Sequence, residues 1–174
     1  FMGFSNQAGE VYFQRMDKDI NLLDEAVQVY DSGNQQSSDE SRPILSSRDG
    51  NVFYGFSEPS GDGDIYIQKY YSNGNEAWNQ PALIANEEGD EIVQDLFPTA
   101  DGGCIIIYDF LKYPDFSVKL AKINSNGIID DNWNNIVLSV EGDKSYFEDA
   151  VQTSDGVFVT WRNDDKNLYG MHIP

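Results

Sequence analysis

The chain carries one cysteine, Cys104, and one histidine, His172, in 174 residues. A single thiol excludes an intrachain disulfide and any cysteine-built metal site. Inside the apolar run Cys104–Tyr108 it reads as a small buried hydrophobe. Basic residues are also scarce: 11 Lys plus Arg stand against 30 Asp plus Glu, a formal net charge of −19. Nucleic-acid binding needs clustered cations to neutralise phosphates, so that class is excluded, and an anionic membrane surface is disfavoured for the same reason. No apolar run approaches the ~20 residues of a membrane-spanning helix, so no membrane insertion is expected. No stretch of ten or more residues shows a helical apolar stripe either. The acidity suits a soluble surface, with divalent cations or a basic partner as the sharper reading.

What the sequence does have is repetition. Asp-Gly stands at Asp49-Gly50, Asp101-Gly102 and Asp155-Gly156, in steps of 52 and 54 residues. An aromatic follows each Gly by six residues, or by five in the last copy: Phe56, Tyr108 and Trp161, with Phe4 in the same series. A strand-like segment recurs as VYFQRM at Val11–Met16, IYIQKY at Ile65–Tyr70, VKLAKI at Val118–Ile123 and LYGMHI at Leu168–Ile173. Ser-Asn-Gly (Ser72–Gly74, Ser125–Gly127) and Glu-Gly-Asp (Glu88–Asp90, Glu141–Asp143) each recur after 53 residues. Four features in phase at one period of about fifty point to a propeller or solenoid.

Each period holds four short strands. The first is expected at 43–47, 95–99 and 149–154, and the fourth at 82–84 and 136–140. Asp-Gly between the first two strands favours a type I′ turn, in which both central residues take positive φ. Four strands per period, repeated radially, describe a β-propeller blade. The fold class expected is therefore all-β, a propeller of which the chain covers two full and two partial blades over 1–36, 42–86, 93–141 and 147–174. Propellers close with about four to eight blades. The chain is accordingly read as a segment of a longer polypeptide, its open edges completed by further blades or by a protein partner.

Candidate chemistry is thin. Arg15, Lys69, Lys122 and His172 occupy one equivalent position of the repeat, which argues for a structural role and against catalysis by His172. No catalytic residues are assigned, because nothing marks two of the 30 acids as the facing pair that glycoside hydrolysis uses. Asp17, Asp19 and Asn21 begin like an EF-hand loop, but Leu22 and Gln28 stand where Gly and a bidentate Glu are required, which leaves only a looser Ca²⁺ site. Tyr113, Tyr146 and Phe147 lie outside the repeated positions and are candidate binding aromatics; Asp62, in the hairpin tip Ser57–Gly63, and Asp64, just after it, are candidate binding carboxylates.

The order Pro-Ile, Asp-Gly, aromatic, Asp-Ile-Tyr-Ile-Gln-Lys, Ser-Asn-Gly and Trp, clearest over Pro43–Trp78 and Asp155–Ile173, resembles the blades of large secreted bacterial β-propeller proteins. Many of those leave the cell by the type IX secretion pathway. Ser72–Trp78 sits where sialidase-type blades carry an Asp-box, from whose residue order it departs. The resemblance implies an extracellular or cell-surface module that binds protein or glycan through its loops. Alternatives are a fragment of a glycan-processing propeller enzyme, or a structural subunit completed by another chain.

Overall fold

A computed structural model describes residues 2–5, 10–30, 44–57, 63–139 and 144–174. Within them the chain forms four antiparallel sheets and no α-helix. Sheet I holds β1 (Met2–Ser5), β2 (Val11–Gln14) and β3 (Val27–Tyr30). Sheet II holds β4 (Ile44–Arg48), β5 (Asn51–Ser57), β6 (Ile65–Tyr70) and β7 (Ala82–Ala85). Sheet III holds β8 (Asp90–Pro98), β9 (Cys104–Lys112), β10 (Asp115–Ile123) and β11 (Ile136–Val137), with one 3₁₀ turn at Asp131–Trp133. Sheet IV holds β12 (Ser145–Gln152), β13 (Val157–Asn163) and β14 (Leu168–Ile173). Every sheet is a simple meander in chain order.

Side chains of a strand alternate between its faces, and that alternation assigns each apolar residue to one joint between sheets. From β5, Val52, Tyr54 and Phe56 pack with Phe13 of sheet I, while Phe53 joins Leu96, Ile106 and Tyr108 of sheet III. From β9, Ile105 and Ile107 turn the other way, onto Val157, Val159 and Trp161 of sheet IV. β9 is therefore buried on both faces from Cys104 to Phe110, whereas β13 alternates buried with solvent-facing residues. The leading strands meet: β4 packs on β8 and β8 on β12. Pro98 O at the end of β8 accepts from both Arg48 Nη1 (3.5 Å) and Gln152 Nε2 (3.3 Å). Four meanders stacked face to face with their first strands converging make a partial β-propeller. The in-phase aromatics Phe56, Tyr108 and Trp161 are all buried, as is Cys104.

Three expectations need correction. The first strands begin at Asp90 and Ser145, well before 95 and 149, because the register of each slips at Val93/Asp95 and at Phe147/Asp149. Such a bulge breaks the period-two pattern, so the half before it does not read as the same strand. The positive-φ Asp-Gly turn holds only at Asp49 (φ 53°) and Gly50 (φ 79°); the later copies sit in longer loops, 99–103 and 153–156. The fourth strand expected over 136–140 spans Ile136–Val137 among the described residues, and Val140 lies outside them.

Candidate functional site

A meander places alternate connections at opposite ends of the sheet. The β9–β10 and β13–β14 tips and the crossings from one sheet to the next lie at one end, called here the crossover end. The β4–β5, β8–β9 and β12–β13 turns lie at the other, the turn end. Tyr113, Tyr146, Phe147 and Asp64 all fall at the crossover end, whereas Asp62 lies outside the described residues.

Tyr113 and Tyr146 belong to one cluster. Tyr113, on the tip between β9 and β10, is 81% exposed. Lys144 Nζ lies 5.2 Å from the centre of its ring and 5.1 Å from that of Phe116. Phe116 meets Tyr146 edge-on at 5.8 Å. Arg162 stands 5.8 Å from the Tyr146 ring and pairs with Glu148. The Tyr146 hydroxyl donates to Asp164 Oδ1 (3.3 Å), and burial followed by that carboxylate raises its pKa. Two of the few cations in a strongly acidic chain thus sit against ring faces on one ledge, which spans the β9–β10 tip of sheet III and the start of sheet IV. A cation over a ring is attracted by the quadrupole, and of these rings Tyr113 is largely open to solvent.

Phe147 alternates to the other side of β12 and packs against the joint between sheets III and IV. Its N–H donates to Asp109 Oδ1 (3.0 Å), and Gln94 Nε2 donates to Asp109 Oδ2 (2.9 Å). Burial pushes the Asp109 carboxyl up to about 6 against those two bonds.

Asp64 lies beside a second cluster, at the joint between sheets II and III. Glu91 is fully buried, and its Oε1 accepts from Glu87 N at 2.7 Å. Among the described residues its Oε2 has no hydrogen-bond partner. Burial foremost, then the charges of Glu87 and Asp64, hold its pKa up at about 7. Glu87 is ion-paired with Lys119, whose Nζ lies 4.0 Å above the Phe110 ring. Gly63, at φ +76°, closes over this nest; a Cβ there would stand 3.2 Å from Glu91 N.

No protein-family model and no curated protein matches the sequence. Among solved structures, the chain is similar to the endo-arabinase of Bacteroides thetaiotaomicron at 11% identity, with 99% of this chain and 88% of that chain covered and a TM-score of 0.36.

Asp17, Asp19 and Asn21 lie apart from both clusters and close a turn on themselves. Asp17 Oδ1 accepts from Asp19 N (2.8 Å) and Asn21 N (2.9 Å), and its Oδ2 accepts from Asn21 Nδ2 (2.9 Å). Those bonds, the Asn21 side chain first, lower the Asp17 pKa. A Ca²⁺ ion at this turn would have to displace them, and no group of three or more acidic, His or Cys side chains among the described residues is arranged to hold a metal. The sequence assigns no role to Asp109, Lys144 and Arg162, and Glu91 stands out there only as the end of the acidic run Glu87–Glu91. For Asp109 and Arg162 a signal exists: the residue after each in-phase aromatic runs Ser5, Ser57, Asp109, Arg162, a repeat position whose chemistry changes.

Proposed function

We propose that the chain belongs to an extracellular or cell-surface propeller that binds protein or glycan through its crossover end, without turnover, alongside further blades of a longer polypeptide or a partner chain. The observation that carries this is the ledge of Tyr113, Phe116, Tyr146 and Lys144. Its rings are held by contacts between two sheets, so they meet a ligand already ordered, which lowers the entropic cost of binding. Exposed tyrosine beside a cation serves both saccharide C–H faces and peptide side chains. The test is binding of the purified chain to immobilised glycan and peptide panels, with Tyr113→Ala and Lys144→Ala as paired variants. The reading predicts retained ligands that both variants release; ligands indifferent to both substitutions would overturn it.

Glu91 favours a second reading, a glycan-processing enzyme. A carboxyl that burial holds near neutrality, with one oxygen lacking a partner among the described residues, has the pKa of a general acid, although Glu91 would have to be uncovered to reach a substrate. Turnover of a labelled glycoside that survives purification and disappears in Glu91→Gln would select that reading.

A further inference from the structure

At the turn end, the joint between sheets II and III is bolted by two side chains of sheet II. Lys69 Nζ donates to Gly102 O at 2.7 Å, and Trp78 Nε1 donates to Ser125 O at 3.0 Å. The Trp78 indole also lies flat on Gly127, where a Cβ would come within 2.9 Å of the ring. Gly102 is left-handed, at φ +82°.

The next joint has the same side chains, Lys122 and Trp133, and lacks the acceptor. The loop from β12 to β13 is one residue shorter than its counterpart, 153–156 against 99–103. The missing residue can be identified. Gly156 matches Gly103, since a Cβ on either would run into the carbonyl closing the partner strand, Ile173 O at 1.9 Å and Ile123 O at 2.1 Å. Gly102 instead matches Gly50, each with a serine Cβ of a neighbouring turn at 3.3 Å. Sheet IV therefore has no counterpart of Gly102. Lys122 turns back to Asp101 of its own sheet, 3.3 Å away. A cavity of about 270 Å³ lies between the sheets, with Trp133, Lys122 and Arg48 on its wall beside Gln152, Asp155 and Thr99.

We propose that this cavity binds one polyhydroxylated ring, a monosaccharide unit, at the end of the molecule opposite the ledge and independently of it. The indole supplies an apolar face for the C–H side of a sugar ring. Around it stand donors only (Arg48, Lys122), an acceptor (Asp155) and groups that do both (Gln152, Thr99). Hydroxyls in sequence around a ring, each donor and acceptor at once, satisfy that mixture. A plain hydrocarbon would cover the remaining donor positions of Arg48 and Lys122, beyond their bonds to Pro98 O and Asp101, without replacing the water they lose, and a carboxylate would meet the repulsion of Asp155. The volume suits a single ring.

The test titrates the intact chain with methyl glucoside, methyl galactoside and acetate, reading the indole N–H signals of the three tryptophans by NMR. Expected is a saturable millimolar shift of the Trp133 signal with at least one glycoside, with Trp161 unmoved. Affinity, followed in the variants by the backbone amide signals of Thr153–Gly156, should fall about tenfold or more in Lys122→Met, a loss the size of one charge-assisted hydrogen bond, and in Trp133→Ala, which removes the apolar face. A glycine inserted between Asp155 and Gly156, restoring the bolt, should abolish binding and leave the unfolding midpoint unchanged or raised. No saturable shift with either glycoside, tighter binding of acetate, or affinity unchanged in both substitutions would overturn the proposal.

Discussion

The joint between sheets II and III and the joint between sheets III and IV are built on one pattern and closed differently. Both have an apolar middle from alternating strand residues, and both use a side-chain oxygen of the preceding sheet to catch the N–H at a bulge of the next. Val93 N donates to Ser57 Oγ in the first and Phe147 N to Asp109 Oδ1 in the second. The first joint is bolted at its turn end and has a neutral hydroxyl at its bulge. The second has a cavity at the turn end and a titratable, buried carboxyl at its bulge. Repetition preserves what holds the sheets together, and departures from it collect at one joint.

The largest expected effect tests the shared part. Trp161 packs against sheet III and stacks on Tyr169 at 6.1 Å between centroids. Trp161→Ala should cost about 3–5 kcal/mol through lost burial and a cavity, read as the denaturant midpoint. An unchanged midpoint would mean that the apolar middle of this joint is not holding sheet IV.

Next comes the bolt. Lys69→Met keeps the length of the side chain and removes the bond to the Gly102 carbonyl, so it should destabilise by about 1–2 kcal/mol. Lys122→Met removes only a pair with Asp101 at 3.3 Å and should stay within about 0.5 kcal/mol. Equal losses for the two, measured by chemical denaturation under one condition, would erase the distinction between the joints.

The bulge contact separates them by pH. Asp109 has a folded-state pKa of about 6, above its ordinary value. Between roughly pH 4 and 6 the folded state thus holds a proton that the unfolded state has released, so stability falls as pH rises, by at most about 1.4 kcal/mol per pH unit. Asp109→Asn still offers an oxygen to Phe147 N, and it should flatten that part of the stability–pH curve. Ser57→Ala should weaken the first joint equally at every pH. A wild-type curve and an Asp109→Asn curve that run parallel would show that Asp109 does not titrate out of range.

Much of the fold is legible in the sequence because its signals are local and in phase. Asp-Gly, the aromatic that follows it and the Ser-Asn-Gly turn each recur, and Phe56, Tyr108 and Trp161 are buried. The front halves of β8 and β12 are not legible, since a bulge at Gln94 or Glu148 shifts the alternation by one residue. The crossover-end cluster is half legible. Tyr113 and Tyr146 stand out by lying off the repeat, but Lys144 and Phe116 join them only through contacts between sheets. Glu91 reads in the sequence only as one acid of the run Glu87–Glu91, because what sets it apart is burial without a partner for Oε2 among the described residues.

The smallest effect on stability is expected at Tyr113, and that smallness is what makes the residue informative. A side chain 81% exposed on a hairpin tip contributes little to either joint, so Tyr113→Ala should move the denaturant midpoint by less than about 0.5 kcal/mol in stability terms. Lys144 loses one ring by that change and keeps the other, Phe116, as well as Asp164 at 3.9 Å. If ligand retention on the panels falls while stability holds, the ledge is recognised as a surface separate from the joints beneath it. If stability falls by as much as it does in Lys69→Met, Tyr113 is part of the joint between sheets III and IV. That joint would then be closed at its crossover end by an aromatic–cation contact in place of the bolt it lacks at its turn end.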